Sequence, residues 1–411
     1  MALASKKLEE VIHDIAFVEI GEGEPPVFDS HELAAKLVSL GTKLWIDTGD
    51  LDLARSIWKK EFTSLTTNNT LANQVVQKGV MDGVIRETAE KLREMSLDLP
   101  ENELIMEIGF VINCKIALRL VEAFRYKVSV ELHPAVSRDF EKTLYYARRY
   151  YKVCPQFFNV KIPLTPEGYL AVRKLRQEGI PINFTLGFSA RQNYLAAALA
   201  NPDYVNVFLG RLNQVVADNS LGSGRGVGEK VTLATQRAIR ELREDVPSIQ
   251  TQLIGASIRN GDQVAILAGL DVLTIPPTAM KGFLDSGRTP EQVECRLDQD
   301  IAVEVDPDPR FSQLWEVSEK FKKFVKTLIR SDRLEDLSGE ELIAVCESYQ
   351  IDLFHQFSQE DCRKIYDHGK IPKLADWPDL IALDDLMTKS ALQSFAKDQD
   401  ALDNRIRSFL V

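Results

Sequence analysis

The sequence predicts a (β/α)8 TIM barrel. From residue 43 onward, eight short β-type segments alternate with helix-type segments, and the short segments are mostly apolar, without clean apolar–polar alternation. Strands that are buried on both faces of a parallel sheet have this pattern. The predicted strands are Lys43–Asp47, Ser64–Thr67, Lys127–Leu132, Phe157–Pro163, Pro181–Phe188, Tyr204–Gly210, Gln252–Ser257 and Asp271–Ile275.

Eight consecutive βα units are compatible with a closed barrel or with an open doubly wound sheet. An open sheet that binds a dinucleotide would carry a GxGxxG motif after its first strand, and no such motif stands there. The glycine-rich segment Gly222–Gly228 has a different spacing, and we expect it to be a mobile loop after the sixth strand. The closed barrel is therefore favoured.

The segments between the strands have helical signatures. In the stretch Pro166–Glu178, Thr165 suits the N-cap, the proline suits the first helical position, and Gly179 suits the residue after the helix. Further helix-type stretches are Arg191–Leu199, Glu229–Glu244 and a long insertion between the second and third strands, Leu71–Phe124.

We expect three parts in the chain. Residues 1–40 would form a helical N-terminal lead-in with a Gly- and Pro-rich linker at 21–26, and residues 41–330 would form the barrel with its catalytic site. Residues 331–411 would form a helical C-terminal segment that packs on or beside the barrel. Within this last part, Leu334–Trp377 could be a small helical module, and the role of residues 331–390 is not predicted by the sequence.

The composition argues against several functional classes. The 411 residues include 61 acidic and 50 basic side chains, a net charge of −11, without the dense basic run that nucleic-acid binding requires. No apolar stretch approaches the roughly 18 residues of a membrane span, and the first residues do not resemble a signal peptide. The five cysteines include no CxxC and no metal-spaced cluster with histidine. We expect a cytoplasmic protein with free thiols and no metal or cofactor, while the oligomeric state is not predicted.

Polar side chains stand at the carboxyl ends of all predicted strands except the eighth, where barrel enzymes carry their chemistry. The candidate site residues are Asp47, Asn68, Glu131, Lys161, Asn183, Thr185, Asn206, Arg211, Ser257 and Arg259. We expect these side chains to face one common site.

Lys161 carries the strongest single signal, because apolar residues surround it in Phe157–Pro163. Burial penalises the charged form of an amine, and a neutral amine can attack a carbonyl to form a Schiff base. Alternatively, the stem of Lys161 could lie along the barrel wall while its amine reaches solvent. Asp47 and Glu131 could move the protons of Schiff-base chemistry, or one of them could simply pair with the lysine.

Arg211 and Arg259 could together bind a phosphate, with Ser257 adding a hydroxyl donor. Surface salt bridges at the starts of loops are the alternative explanation for both arginines. Asn68 and Thr185 are weak candidates individually, because Asn and Thr at strand ends often cap helices or stabilise turns.

These residues lie in segments that resemble the transaldolase family. The segments are Ile46–Asp50, Leu65–Leu71, Val128–Glu131, Asn159–Pro163, Gly179–Leu186, Phe208–Arg211, Gly255–Asn260, Ala268–Pro277 and, near the end, Phe395–Leu402. The resemblance implies transfer of a dihydroxyacetone unit between phosphorylated sugars in the pentose phosphate pathway, without a cofactor.

The resemblance also implies a role for each candidate. Lys161 would be the Schiff-base lysine, and Asp47 would be the acid and base at the cleaved bond. Glu131 and Thr185 would position a water molecule that carries protons. The other candidates would bind substrate: Asn68 would hold the donor hydroxyls, Arg211, Ser257 and Arg259 would bind the phosphate, and Asn183 and Asn206 would be further substrate-binding residues.

Five positions depart from the family pattern. Asn69 stands in place of a proline, Asn206 in place of a serine, and Ile258 in place of a phenylalanine. Gly187 replaces a larger aliphatic residue, and His133 stands where an acidic or small residue is common. We expect Gly187 and Ile258 to reduce the side-chain volume at their positions, and Asn206 to change the pattern of hydrogen-bond donors. The resemblance therefore supports the chemistry more firmly than the identity of the substrate.

Three functional hypotheses stay open. The first is a transaldolase-type transferase. The second is a Schiff-base sugar-phosphate aldolase, in which water releases the three-carbon unit because the enamine is less well shielded. The third is a non-catalytic paralogue that binds sugar phosphates or, through residues 331–390, a protein partner; the presence of Lys161, Asp47 and Glu131 counts against it.

Overall fold

The computed structural model describes residues 6–21, 26–95, 99–378 and 381–410. It confirms the predicted fold, because eight parallel strands pair in chain order and the first also pairs with the last, which closes the barrel. The strands are β1 (Lys43–Asp47), β2 (Phe62–Thr66), β3 (Lys127–Glu131), β4 (Phe158–Pro163), β5 (Ile182–Thr185), β6 (Tyr204–Phe208), β7 (Gln252–Ala256) and β8 (Val272–Ile275).

Helices follow the strands and flank the barrel. The described residues form α1 (Lys6–Ala16), α2 (Glu32–Ser39), α3 (Leu51–Ile57), α4 (Asn69–Gln77), α5 (Asp82–Glu94), α6 (Glu101–Phe124), α7 (Phe140–Val153), α8 (Pro166–Gln177), α9 (Ala190–Ala200), α10 (Leu209–Asp218), α11 (Val227–Asp245), α12 (Gly261–Ile266), α13 (Pro277–Leu284), α14 (Pro309–Trp315), α15 (Glu319–Leu328), α16 (Gly339–Ser348), α17 (Gln359–His368) and α18 (Leu383–Arg407).

The strands β2, β3 and β7 each end one residue earlier than predicted, while β5 and β6 end two or more residues earlier. β5 ends at Thr185 because Leu186 adopts a left-handed backbone conformation with φ of 68°, which interrupts an extended strand. β6 ends at Phe208 because α10 begins at the next residue. Both corrections shorten the sheet on the side where the candidate residues lie. The candidates Asn183, Thr185 and Asn206 still lie in the shortened strands, whereas Arg211 lies in the first turn of α10.

The strands are buried on both faces, as the pattern predicted. Every residue of β4 and of β5 is buried, since one face lies inside the barrel and the other contacts the surrounding helices. The N-cap prediction for α8 is also confirmed, because Thr165 Oγ1 accepts a hydrogen bond from the Gly168 amide at 3.0 Å. Gly179, just after α8, has a φ of 79° that favours glycine.

The predicted helical insertion between β2 and β3 contains α4, α5 and α6. Before the barrel, α1 packs against α6, and α2 packs against β1. Of the predicted linker at 21–26, residues 22–25 lie outside the described residues.

The predicted loop Gly222–Gly228 comes after β6, as expected, but its last two residues are the first residues of α11, and its mobility stays a prediction. It pairs with a later extended segment, because the Gly224 amide donates to the Glu304 carbonyl and the Glu304 amide donates to the Arg225 carbonyl, both at 2.9 Å. The side chain of Arg225 is 82% exposed.

After residue 330, the described residues form helices and no strand. α16 packs against α8, α17 packs against α18, and α18 packs against α4 and α6. The segment Leu334–Trp377 thus contacts the barrel helices, while the division of the chain into three parts stays a prediction. Among the described residues, no helix combines the length and apolar character needed to cross a membrane.

Candidate active site

A cavity of about 150 Å³ opens at the carboxyl ends of the strands. Eight of the ten predicted site residues line it: Asp47, Asn68, Lys161, Asn183, Asn206, Arg211, Ser257 and Arg259. The other two lie next to lining residues, since Glu131 contacts Lys161 and Thr185 contacts Asn206. The structure therefore brings all ten candidates together.

The amine of Lys161 lies inside the barrel. Its Nζ is 3.0 Å from Glu131 Oε2 and donates a hydrogen bond to the Thr67 carbonyl at 3.1 Å. The two side chains are 4% and 2% exposed, so the lysine does not extend along the wall into solvent. Burial raises the pKa of Glu131, and the neighbouring lysine partly opposes this effect. Such a carboxyl group can exchange a proton with the amine.

Asp47 ends β1 and is partly exposed to the cavity. Its Oδ1 accepts a hydrogen bond of 2.6 Å from Thr66, whose hydroxyl lies 2.6 Å from that of Thr274. Burial raises the pKa of Asp47, against the lowering effects of Lys161, Thr66 and Arg259. The carboxyl group therefore accepts a hydrogen bond from a neutral hydroxyl and belongs to a residue that lines the cavity, an arrangement suited to general acid–base chemistry.

A chain of side-chain hydrogen bonds runs beneath the cavity from β3 to β6. Thr185 donates to Asn206 Oδ1 at 2.8 Å, Asn206 donates to Asn183 Oδ1 at 2.7 Å, and Asn183 donates to Ser129 Oγ at 3.1 Å. All four side chains are buried, so the cost of burying their polar groups is offset by these bonds. This row of hydrogen bonds orients the Thr185 hydroxyl and leaves side-chain amide N–H groups for a ligand.

Asn68 is held in place by the start of α4. Its Oδ1 caps that helix by accepting a hydrogen bond from the Leu71 amide at 2.9 Å. Because the oxygen is engaged, the Nδ2 group is the part of the side chain that can donate to a ligand in the cavity.

Arg211 and Arg259 have no ion-pair partner in the part of the chain that the structure describes. Arg211 is 8% exposed, and its Nη1 has no hydrogen-bond partner among the described residues. Burial, with a further contribution from Arg259, lowers the pKa of Arg211 to about 10. Surface salt bridging does not account for these two arginines, and their unused donors suit an anion.

The turn after β7 brings Ser257 and Arg259 to the cavity. Ser257 has a left-handed φ of 62°, and Gly210 lies directly against the turn. A Cβ at position 210 would lie 2.2 Å from the Ser257 carbonyl oxygen and 2.7 Å from Arg259 Nε. A glycine at this position is therefore required for the close approach of the start of α10, which carries Arg211, to the turn that carries Arg259.

Several lining residues were not predicted as site residues. They are Thr66, Thr70, Leu71, Phe208, Ile254, Ala256, Ile258, Thr274, Pro276 and Phe395. Phe395 comes from α18, and its ring centre lies 5.4 Å from the guanidinium carbon of Arg211. The resemblance of Phe395–Leu402 to a family helix was the one signal that could have pointed to this residue.

Two departures from the family pattern contact α18 instead of the cavity. Asn69 donates to Gln399 Oε1 at 3.0 Å, and His133 Nε2 lies 3.2 Å from Asp403 Oδ2. Gln399 in turn donates to Asp403 Oδ1 at 2.8 Å. These hydrogen bonds therefore hold the end of α18 against the segments that follow β2 and β3.

The bulk that Gly187 was expected to remove is not missing from the cavity. Gly187 does not line the cavity, and a Cβ there would lie 2.2 Å from the Asn206 carbonyl oxygen and 2.8 Å from Asn193 Nδ2. The glycine makes room for the backbone of β6. Ile258 does line the cavity.

No group of three or more His, Cys, Asp or Glu side chains within the described ranges could hold a metal ion. The five cysteines are free thiols.

A closed barrel with a polar cavity at the carboxyl ends of its strands has the architecture of (β/α)8-barrel enzymes. The chain belongs to the transaldolase/fructose-6-phosphate aldolase family, whose model matches residues 44–331.

Curated relatives agree with this assignment. A transaldolase of Prochlorococcus marinus subsp. pastoris is 28% identical over 276 residues, which are 65% of this chain and 80% of that protein. A transaldolase of Protochlamydia amoebophila is 27% identical over 64% of this chain and 81% of its own length. A probable transaldolase of Parvibaculum lavamentivorans is 36% identical over 30% of this chain, and the match spans about half (51%) of that relative. Family and relatives support a transaldolase-like enzyme.

Proposed function

We propose that this chain is a transaldolase-type transferase that moves a dihydroxyacetone unit from a ketose phosphate to an aldose phosphate through a Schiff base on Lys161, as in the pentose phosphate pathway. The observation that carries the proposal is the buried Lys161 amine, 3.0 Å from the Glu131 carboxyl group and at the edge of a cavity that also contains Asp47. An amine, a proton acceptor and a second carboxyl group are the set that this chemistry needs.

In the first stage, the neutral amine of Lys161 attacks the C2 carbonyl of the ketose phosphate. Glu131 takes a proton from the amine and returns one to the carbinolamine hydroxyl, which leaves as water, so that an iminium ion forms. The raised pKa of Glu131 supports this role, because a carboxyl group that binds protons more readily is a better base. Thr185 positions the water that carries protons between these groups.

In the second stage, Asp47 accepts the proton of the C4 hydroxyl as the C3–C4 bond breaks. The electron pair of that bond moves to the iminium nitrogen, which gives an enamine and releases an aldose phosphate. The enamine then attacks the carbonyl carbon of a second aldose phosphate, and Asp47 returns its proton to the new hydroxyl. Hydrolysis of the iminium frees Lys161. The iminium accepts the electrons throughout, so this sequence needs no cofactor.

The phosphate is bound by Arg211 and Arg259, with the Ser257 hydroxyl as a third donor. The absence of carboxylate partners for both guanidinium groups among the described residues supports this role. Asn68, Asn183 and Asn206 bind the sugar hydroxyls through amide groups that line the cavity. Phosphorylated sugars are thus the substrate class.

Borohydride trapping tests the proposal. Incubation with fructose 6-phosphate and borohydride should add a reduced three-carbon unit to Lys161, located by mass spectrometry, because borohydride reduces the iminium. Lys161→Arg should abolish labelling, since a guanidinium stays protonated. Lys115→Arg is the matched control, because Lys115 is a partly buried lysine of α6 that does not line the cavity. Labelling on any lysine other than Lys161 would contradict the proposal.

Adding an acceptor separates the transferase from the aldolase. With fructose 6-phosphate and erythrose 4-phosphate, a transferase makes a new ketose phosphate, whereas an aldolase releases free dihydroxyacetone at the same rate with or without acceptor. A non-catalytic paralogue would give neither product. We expect the transferase result, because Phe395 of α18 covers one side of the cavity and limits access of water to the enamine.

A cytoplasmic location and the three-part division of the chain are part of the same proposal. The free thiols support a reducing compartment.

A further inference from the structure

The turn after β5 has an unfavourable backbone conformation next to a proposed catalytic residue. Leu186 follows Thr185 directly and has a φ of 68°, a region that residues with a Cβ rarely adopt. Such conformations persist only where the surroundings hold them. The contacts that hold this turn therefore decide where the Thr185 hydroxyl lies.

The first turns of α18 supply one of these contacts. The hydroxyl of Thr388 lies 2.9 Å from the Leu186 carbonyl oxygen and 3.0 Å from the Asp384 carbonyl oxygen one helical turn earlier. Gln192 Nε2 donates to the same hydroxyl at 3.1 Å, and Gln192 Oε1 accepts from the Phe188 amide at 2.9 Å. Thr388 and Gln192 thus hold both ends of the turn.

A buried ion pair fixes the start of α18. Asp384 is fully buried and accepts two bonds from Arg191, from Nε at 2.8 Å and from Nη2 at 2.9 Å. Ser189 Oγ donates to the same carboxylate at 2.6 Å. Because Ser189 caps α9 and Arg191 lies in its first turn, the pair joins the first turn of α18 to the first turn of α9.

The segment before α18 also makes hydrogen bonds to this part of the structure. Asp352, in the loop between α16 and α17, accepts a bond of 2.6 Å from Arg191 Nη1. The His355 amide of the same loop donates to Asp385 at 2.7 Å. The residues 352–355 therefore contact both Arg191 and the first turn of α18, which gives a role to the loop between α16 and α17.

We propose that the start of α18 is a positioning element of the active site, in which Thr388 holds the Leu186 turn and the Asp384–Arg191 pair holds Thr388. This inference rests on the proposed function, because it acts through Thr185. Thr185 is linked to the cavity by its bond to Asn206, so a shift of the turn disturbs a side chain that lines the same cavity as Lys161. Thr388 does not line the cavity and so does not act on substrate directly.

The test compares three threonine variants of the 411-residue chain. Thr388→Val removes the contact, Thr388→Ser keeps the hydroxyl, and Thr88→Val is the matched control. Thr88 is a fully buried threonine of α5 whose hydroxyl donates to the Val84 carbonyl, away from the cavity. The readouts are the single-turnover rate of borohydride labelling at Lys161 with fructose 6-phosphate, KM, and Tm.

We expect Thr388→Val to slow labelling by about 10-fold, the scale of one lost hydrogen bond. KM should change little, because the phosphate and hydroxyl contacts remain. Thr388→Ser should restore the rate, and Thr88→Val should lower Tm without slowing labelling.

Either of two results would overturn this inference while leaving the proposed function intact. The first is an equal labelling rate for Thr388→Val and the unaltered chain, and the second is that Thr88→Val slows labelling as much as Thr388→Val does. Failure of the unaltered chain to be labelled at Lys161 would overturn the proposed function, and this inference with it.

Discussion

Lys161 Nζ lies 3.0 Å from Glu131 Oε2, and the two residues are direct register partners on β4 and β3. Neighbouring parallel strands hold their paired side chains at a nearly constant separation, so the contact does not depend on loop conformation. Burial raises the pKa of Glu131 while the lysine lowers it. The raised pKa makes the Glu131 carboxylate a better proton acceptor next to the amine.

Glu131→Gln should slow iminium formation by about 10²-fold, the scale of losing general acid–base assistance, because an amide cannot accept the proton of the amine. The single-turnover rate of borohydride labelling measures this step. Equal labelling rates in the variant and the unaltered chain would remove Glu131 from the proton path.

Asp47→Ala should lower turnover by at least about 10²-fold while labelling of Lys161 persists, because Asp47 acts after the iminium has formed. Asp50→Ala is the control, since Asp50 caps α3 and does not line the cavity. The control should lose stability and retain turnover. Near-normal turnover of Asp47→Ala would exclude it from the mechanism.

Arg211→Ala and Arg259→Ala should each weaken the use of phosphorylated substrates by roughly 10- to 100-fold, the range for one charge-assisted hydrogen bond. The loss should nearly vanish with dihydroxyacetone, which has no phosphate, and Tm should change little. Arg225→Ala tests the alternative that the exposed loop Gly222–Gly228 binds the phosphate, and we expect no effect. Equal losses on both substrate types would show that the arginines stabilise the barrel instead.

Gly187→Ala should destabilise the protein by about 1–3 kcal/mol, because the new Cβ would lie 2.2 Å from the Asn206 carbonyl oxygen. Gly83→Ala is the matched control, since no atom lies within 4 Å of a Cβ at that helical position. Thermal unfolding measures both variants. A stable Gly187→Ala protein would show that β6 can move away from the turn.

Asp385→Asn should change how stability depends on pH. Burial raises the pKa of Asp385 from 3.8 to about 7. Between these values the folded state binds the proton and the unfolded state does not, so the contribution of Asp385 to stability is lost as pH rises towards 7. Asparagine keeps an acceptor for the His355 amide and does not ionise.

The Tm of Asp385→Asn relative to the unaltered chain should therefore rise from pH 5 to pH 7 and level off above it. A difference in Tm that is constant across this range would contradict the raised pKa.

The order of the strands and most of the site could be predicted from local sequence. Short, mostly apolar segments predicted buried parallel strands, and a polar residue at the end of every predicted strand but the eighth predicted the candidates, because the carboxyl ends of barrel strands converge. The Thr165 cap was predictable for the same local reason. The early end of β5 was not, because the left-handed Leu186 is held by Thr388, which is about 200 residues away in the chain.

The sequence by itself determined the closed barrel, the place of Lys161 among apolar neighbours, and the family, because periodicity and motifs are properties of neighbouring residues. Only the tertiary structure decided that the last helix contributes Phe395 to the cavity and holds the turn after Thr185. The tertiary structure also decided the role of Gly187, whose missing side chain leaves room for the backbone of β6. Such contacts join residues far apart in the chain, and a local pattern does not encode which distant partner a side chain meets.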